Sequence, residues 1–168
     1  DEINTIMEVF VSPEDNVEIR RIKIENHGAE AVVFEVTSYI EVVLSTLQDD
    51  IAHRTFSNLF IRTEFLEEYE SILAMRKPRE KDSAESWAFH CAVYEGDILG
   101  PFQYETSRAN FIGRGRDVHN AALLEQSLSN TAGIVLDPCM SIRKVIKIQG
   151  GAREVISFIT GYGKNREE

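Results

Sequence analysis

Residues 31–44 read Ala31-Val32-Val33-Phe34-Glu35-Val36-Thr37-Ser38-Tyr39-Ile40-Glu41-Val42-Val43-Leu44. Val32, Phe34, Val36, Ile40, Val42 and Leu44 share one phase of a two-residue period, and Glu35, Thr37, Tyr39 and Glu41 take the other. Side chains alternate faces along an extended chain, so the pattern predicts one long, half-buried strand. A strand of that length calls for large sheets rather than a small immunoglobulin-like sandwich.

Working outward, residues 17–25 are rich in β-branched residues, but their apolar phase shifts between Ile19 and Ile22, which predicts a bulge near Arg20 and Arg21. Asn26-His27-Gly28 supplies a turn, so 17–25 and 31–44 read as a hairpin. Residues 5–11 form a further strand, ended by Ser12-Pro13-Glu14-Asp15. Downstream, 59–66 and 71–76 flank an acidic turn at Glu67-Glu68-Tyr69, and 87–95 ends at Gly96. Residues 140–148 and 154–160 flank Gln149-Gly150-Gly151, which reads as a hairpin turn. The best helical candidate, 120–128, is one or two turns long, while 47–54, 77–86 and 107–119 read as long loops. The expectation is an all-β domain over residues 1–168, with two large antiparallel sheets packed face to face, long loops and at most short helices. Both ends look cut from a larger multidomain polypeptide.

Lys and Arg total 18 against 28 Asp and Glu, a formal net charge of −10. That field opposes binding to nucleic acid or to an anionic membrane surface and leaves neutral partners such as sugars open. No apolar run is long enough to span a bilayer, so no direct membrane insertion is expected. Cys91 and Cys139 have no Cys-x-x-Cys spacing and read as reduced core thiols of a cytoplasmic protein, with a disulfide between them as the alternative.

Glycoside chemistry needs two carboxyl groups, or one plus an external nucleophile, on opposite sides of a bond. Carboxylates abound, but none sits in a diagnostic motif: Asp49-Asp50 and Glu67, Glu68 and Glu70 read as solvated loops. Phe111-Ile112-Gly113-Arg114-Gly115-Arg116 is the most distinctive stretch. Its glycines allow close backbone approach and its guanidiniums fork onto carboxylate or phosphate, so Arg114 and Arg116 are candidates either for pairing with Asp or Glu or for a ligand or active-site border. The stretch is neither a Walker loop nor a dinucleotide fingerprint. His27, His53, His90 and His119 lack metal-ligand spacing, so neither a metal nor another cofactor is expected, and His90 reads as a satisfied core histidine. Trp87, Tyr39, Tyr94 and Tyr104 suit sugar stacking, with core packing as the competing role.

An ordered series of segments resembles one family. It comprises Val11-Ser12-Pro13-Glu14-Asp15, Glu25-Asn26-His27, residues 35–44, His53, Phe56-Ser57-Asn58-Leu59-Phe60, Gln103-Tyr104-Glu105-Thr106, Arg108, residues 111–116 and Leu136-Asp137-Pro138. Together they resemble the β-sandwich domain of cyclic β-1,2-glucan synthases and of cellobiose and chitobiose phosphorylases, the glycosyltransferase family 36-like group. The resemblance implies a super-β-sandwich of the galactose mutarotase-like class. It places the catalytic aspartate and phosphate-binding residues in an (α/α)6 barrel of the same polypeptide, so no catalytic residue carries over to this chain. It also implies β-glucan as the substance handled, homodimer formation through this domain, and a cytoplasmic location, including the cytoplasmic part of an inner-membrane protein. Three readings compete: a noncatalytic domain supporting the barrel, a free-standing carbohydrate-binding module with surface aromatics, and a mutarotase-like enzyme suggested by fold alone. The first predicts an exposed apolar docking patch.

Overall fold

A computed structural model describes residues 2–78, 85–96 and 98–167. Its strands are β1 (Ile3–Val11), β2 (Val17–Asn26), β3 (Val32–Thr37), β4 (Ile40–Glu41), β5 (Ile61–Leu66), β6 (Ser71–Arg76), β7 (Ser86–Tyr94), β8 (Ile98–Ser107), β9 (Pro138–Ile148) and β10 (Arg153–Gly163). Two helices accompany them, α1 (Leu47–Asn58) and α2 (Arg108–Ile112). A large antiparallel sheet runs β1-β2-β10-β7-β6-β5, and a smaller one is built on β9, which pairs with β3, β4 and β8. The expected all-β pair of sheets is therefore present.

The stretch 31–44 keeps one register against β9: Thr37 lies opposite Arg143 and Ile40 opposite Met140, the same offset. The long strand is nevertheless split at Ser38 and Tyr39, and regular structure ends at Glu41. Ser38 explains the split. Its hydroxyl accepts from the Ile142 N–H at 3.1 Å and meets His90 Nε2 at 2.7 Å, so a side chain replaces part of the backbone ladder. The predicted alternation survives the break. Val36, Val42 and Leu44 pack inward between the sheets, while Tyr39 packs among residues on the far side of β9.

No bulge occurs at Arg20 or Arg21, because β2 pairs with both β1 and β10 without a register shift. Ile22 and Ile24 belong to the core, whereas Ile19 lies opposite Phe10 and Ile159 on the other face, so the phase change records apolar residues on both faces.

Two expected hairpins are instead crossings between sheets: β2 and β3 lie in different sheets, as do β9 and β10. The turns are where the sequence puts them, but a turn signal does not say which sheet receives the next strand. Asn26, buried, ties both crossings together. Its Nδ2 donates to the carbonyls of Glu30 (2.8 Å), Ile148 (3.3 Å) and Gln149 (3.2 Å), and its Oδ1 accepts from Gly28 N–H at 3.0 Å. Gly150 lies against the same corner, where a Cβ would stand 2.1 Å from the Ala29 carbonyl oxygen. The pairs β1–β2 and β5–β6 are true hairpins.

Between the sheets, Ile72, Ala74, Ile156 and Phe158 of the large sheet meet Val42, Met140 and Ile142 of the smaller side. A third layer covers the far face of β9: Phe111, Ile112, Ala121, Leu123 and Leu128 enclose Cys139, and Tyr39 stacks on Phe111 at 4.7 Å. Beneath that layer Arg143 is buried, donating to Gln126 O (2.7 Å), Leu123 O and Thr37 Oγ1 (2.8 Å), with Glu35 at 3.3 Å. The expected helix at 120–128 is absent. Two 3₁₀ turns stand in its place, Val118–Asn120 at its start and Ala122–Leu124 within it, and Arg143 takes the Leu123 carbonyl that an α-helix would use internally. Conversely, the expected loop at 47–54 is helical, and the one at 107–119 contains α2; residues 79–84 of the expected 77–86 loop lie outside the described residues.

Candidate functional site

A charged network joins β4, α1, α2 and the strand entry at Asp137. Arg108 Nε donates to Glu41 Oε1 at 2.9 Å and its Nη1 to Asp137 Oδ2 at 3.3 Å. Arg54 Nη2 reaches the other Glu41 oxygen at 2.9 Å, and its Nε lies 3.3 Å from Asp50 Oδ1. Asn58 Nδ2 donates to Asp137 Oδ1 at 3.1 Å, and Tyr39 OH to Glu41 Oε1 at 3.2 Å. Local structure sets each position. Thr46 caps α1 through its side chain, accepting from Asp49 N–H at 3.2 Å, which fixes the turn that carries Asp50; the helix is kinked at His53 (φ −149°, ψ 53°), and Arg54 beyond the kink reaches back to Asp50. Ser107 caps α2 and accepts from Asn110 N–H, while Arg108 N–H donates to Asp137 O at 2.9 Å.

Electrostatically the network is an ion-pair cluster rather than an acid–base pair. Burial pushes the Glu41 carboxyl up, but the hydrogen bond from Arg108 and the charges of Arg108 and Arg54 outweigh it and hold Glu41 below the usual carboxylate range. A carboxylate so held is a poor proton donor near neutral pH. Arg108 is held even more firmly charged, chiefly by its hydrogen bond to Glu41. Tyr39 is pushed well above the ordinary phenol range by burial and by the neighbouring Glu41 charge.

Around this network the surface is apolar. Ile51 of α1 is 76% exposed and Leu136, next to Asp137, is 74% exposed; Leu47, Phe56, Leu59 and Ile134 are exposed as well.

Arg114 and Arg116 do not join this network. Gly113 (φ 82°) and Gly115 (φ 71°) adopt left-handed backbone that a side chain would strain, and the loop they shape carries both arginines outward. Arg116 Nη1 pairs with Glu125 Oε2 at 3.2 Å and donates to Asn120 O at 3.3 Å; Arg114 is exposed. Other candidates resolve into structural roles. His90 is buried between Ser38 Oγ (2.7 Å) and Thr160 Oγ1 (3.0 Å), the satisfied core histidine expected. Tyr104 stacks on Phe65 at 4.1 Å and Tyr94 packs against the core, whereas Trp87 lines a surface groove. Cys91 and Cys139 are free thiols, and among the described residues no group of His, Cys, Asp and Glu is placed to hold a metal. Glu70, read as solvated, pairs with buried Lys144 at 2.5 Å. Among the described residues no helix is long and apolar enough to cross a membrane.

The network residues Tyr39, Glu41, Asn58, Arg108 and Asp137 all lie in segments that carry the family resemblance, but Tyr39 is marked there for sugar stacking and none of the five for an ion-pair network. The signals that mark them are the polar phase of 31–44 and the Thr46-x-x-Asp49 capping pattern, which announces α1.

Comparison with known proteins agrees with this architecture. The chain is 33% identical over 168 residues to the cyclic β-(1,2)-glucan synthase NdvB of Rhizobium meliloti (strain 1021), covering 99% of this chain and 6% of that protein. It is 25% identical over 164 residues to the N,N'-diacetylchitobiose phosphorylase of Vibrio proteolyticus, covering 95% of this chain and 19% of the relative. Among solved structures, a polysaccharide lyase superimposes with a TM-score of 0.51 at 11% identity, over 99% of this chain and 21% of that one, a likeness of fold. The chain thus spans a small part of the relatives it matches. Residues 1–168 match the family described as glycosyl hydrolase 94, supersandwich domain, throughout their length, and the chain belongs to that family.

Proposed function

We propose that this domain is a noncatalytic carbohydrate-associated sandwich of a cyclic β-1,2-glucan synthase or related glycoside phosphorylase, and that it supports an (α/α)6 barrel of the same polypeptide which acts on β-glucan. One observation carries the reading: Ile51, Leu136 and their exposed apolar neighbours surround a network whose carboxylates are already paired with guanidiniums. An apolar patch set on a rigid polar frame suits a protein partner, since the frame fixes the surface and the apolar side chains gain by leaving water. The 33% identity to a glucan synthase supplies the carbohydrate setting.

The test uses the longer polypeptide and the 168-residue chain side by side. Ile51→Asp with Leu136→Asp is expected to lower phosphorolysis of linear β-1,2-glucan by the longer protein and to expose its interdomain segment to protease, while leaving the thermal midpoint of the short chain unchanged. Unaltered activity and protection in the longer variant would defeat the docking reading. Phosphate consumption by the short chain alone would defeat the noncatalytic one.

A further inference from the structure

The outer face of the large sheet carries a groove of about 400 Å3 lined by Arg62, Glu64, Leu73, Met75, Trp87 and Arg166, none of them a residue of the charged network. Strand register explains why these side chains meet. Arg62 lies opposite Met75, Met75 opposite Trp87 and Trp87 opposite Gly163, forming one row across β5, β6, β7 and β10. Glu64, Leu73 and Phe89 form the next row, so both rows face the same side. Gly163 brings no side chain against the indole, and Trp87 Nε1 is fixed by a 2.8 Å hydrogen bond to Glu85 Oε2. At the rim, Arg166 Nη2 donates to Glu64 Oε1 at 2.7 Å.

These parts differ in kind, and the combination selects the ligand. An indole with a Leu and Met floor offers an apolar platform for the C–H face of a pyranose. The Glu64–Arg166 pair offers an acceptor and donors in fixed positions, which matches neighbouring hydroxyls, and Arg62 adds an exposed donor. A phosphate would meet the Glu64 carboxylate, and a lipid tail would have to bury three charges. The volume falls in the roughly 300–1,000 Å3 span of small-ligand sites. We infer that this groove is an accessory subsite for a neutral oligosaccharide, stacked on Trp87 and hydrogen-bonded by Glu64, Arg166 and Arg62. The inference rests on the carbohydrate setting proposed above and assigns the sugar to the outer face of the large sheet, next to the docking patch at Arg62, which bridges Ile134, but centred on Trp87 rather than on Ile51 and Leu136.

Trp87 is the only tryptophan, so the emission of the chain reports the surroundings of this one indole. Linear β-1,2-gluco-oligosaccharides, with β-1,4-linked ones alongside, are expected to shift the emission saturably, and calorimetry to give the same midpoint. Trp87→Ala is expected to weaken calorimetric affinity about tenfold, equivalent to 1.4 kcal/mol. Arg62→Ala, at an exposed position, is expected to weaken it about threefold with an unchanged thermal midpoint. No emission change with either series overturns the subsite. So does unaltered affinity in Arg62→Ala and Trp87→Ala, or a response to inorganic phosphate in place of sugar. Those failures leave the docking reading standing, because it is read from Ile51 and Leu136 in the longer protein.

Discussion

His90 shows how one side chain couples the two sheets and makes the fold sensitive to acid. Its ring bridges Ser38, at the break between β3 and β4, and Thr160 of β10, and it stacks on Phe158 at 5.9 Å. Burial lowers its pKa from 6.5 to about 4, because the interior disfavours the imidazolium. Between those values the unfolded chain holds a proton that the folded chain does not, so stability rises with pH there and is lost as pH falls from 6.5 towards 4. Unfolding free energy should therefore drop by about 2 kcal/mol from His90 alone between about pH 7.5 and about pH 5. Urea midpoints at the two pH values measure it. His90→Gln, which keeps polar atoms but does not titrate, is expected to flatten the slope; an equal slope in the variant would assign the acid sensitivity elsewhere.

At the scale of elements, the corner where β2 passes to β3 and β9 passes to β10 is the joint of the sandwich. Gly150 and Gly151 sit together there for different reasons. A Cβ on Gly150 would strike the Ala29 backbone at 2.1 Å, whereas Gly151 has open space but a φ of 71°. Gly150→Ala must therefore move one crossing against the other and should cost about 2 kcal/mol or more, as overpacking does. Gly151→Ala should cost only about 1 kcal/mol, the penalty of a left-handed backbone. Chemical denaturation of the two variants gives the comparison, and equal losses would mean that the corner yields. The same corner marks where sequence reading stopped. Turn chemistry located both bends, and period-two alternation located the strands around them, since those signals are local. Which sheet receives each strand depends on Asn26 reaching carbonyls more than a hundred residues away, and no local pattern records that. Strand β8 was legible only as part of a family resemblance. Its register against β9 shifts twice, once between Leu99 and Gln103 and again near Ser107, where the Glu105 carboxylate accepts from the N–H groups of Thr106 and Ser107, so its alternation is broken. Helix α1 escaped for the opposite reason: Leu47 and Ile51 have helical spacing but face solvent, where no core confirms them.

For the molecule as a whole, the two sheets are unequal, and the inequality leaves β1 uncovered. It is an edge strand of the large sheet, paired with β2 along one side, with no bulge and no proline. Met7 is 61% and Val11 68% exposed on the face that turns towards the core elsewhere in the sheet, and Ile6 and Phe10 are exposed on the other. Edges of this kind pair with further strands unless charge or a bulge blocks them, and Glu8, already engaged with Lys23 at 2.6 Å, is the one charged side chain along β1. The formal charge of −10 keeps copies apart at long range, but salt screens that repulsion while leaving apolar contact and strand pairing in place. Self-association of the 168-residue chain should therefore increase with salt, and Val9→Lys, at an exposed position on the same uncovered face as Met7 and Val11, should suppress it without lowering the thermal midpoint. Sedimentation equilibrium of both proteins at low and high salt decides the matter. Association that weakens with salt, or that persists unchanged in Val9→Lys, would place the contact on a charged surface away from β1.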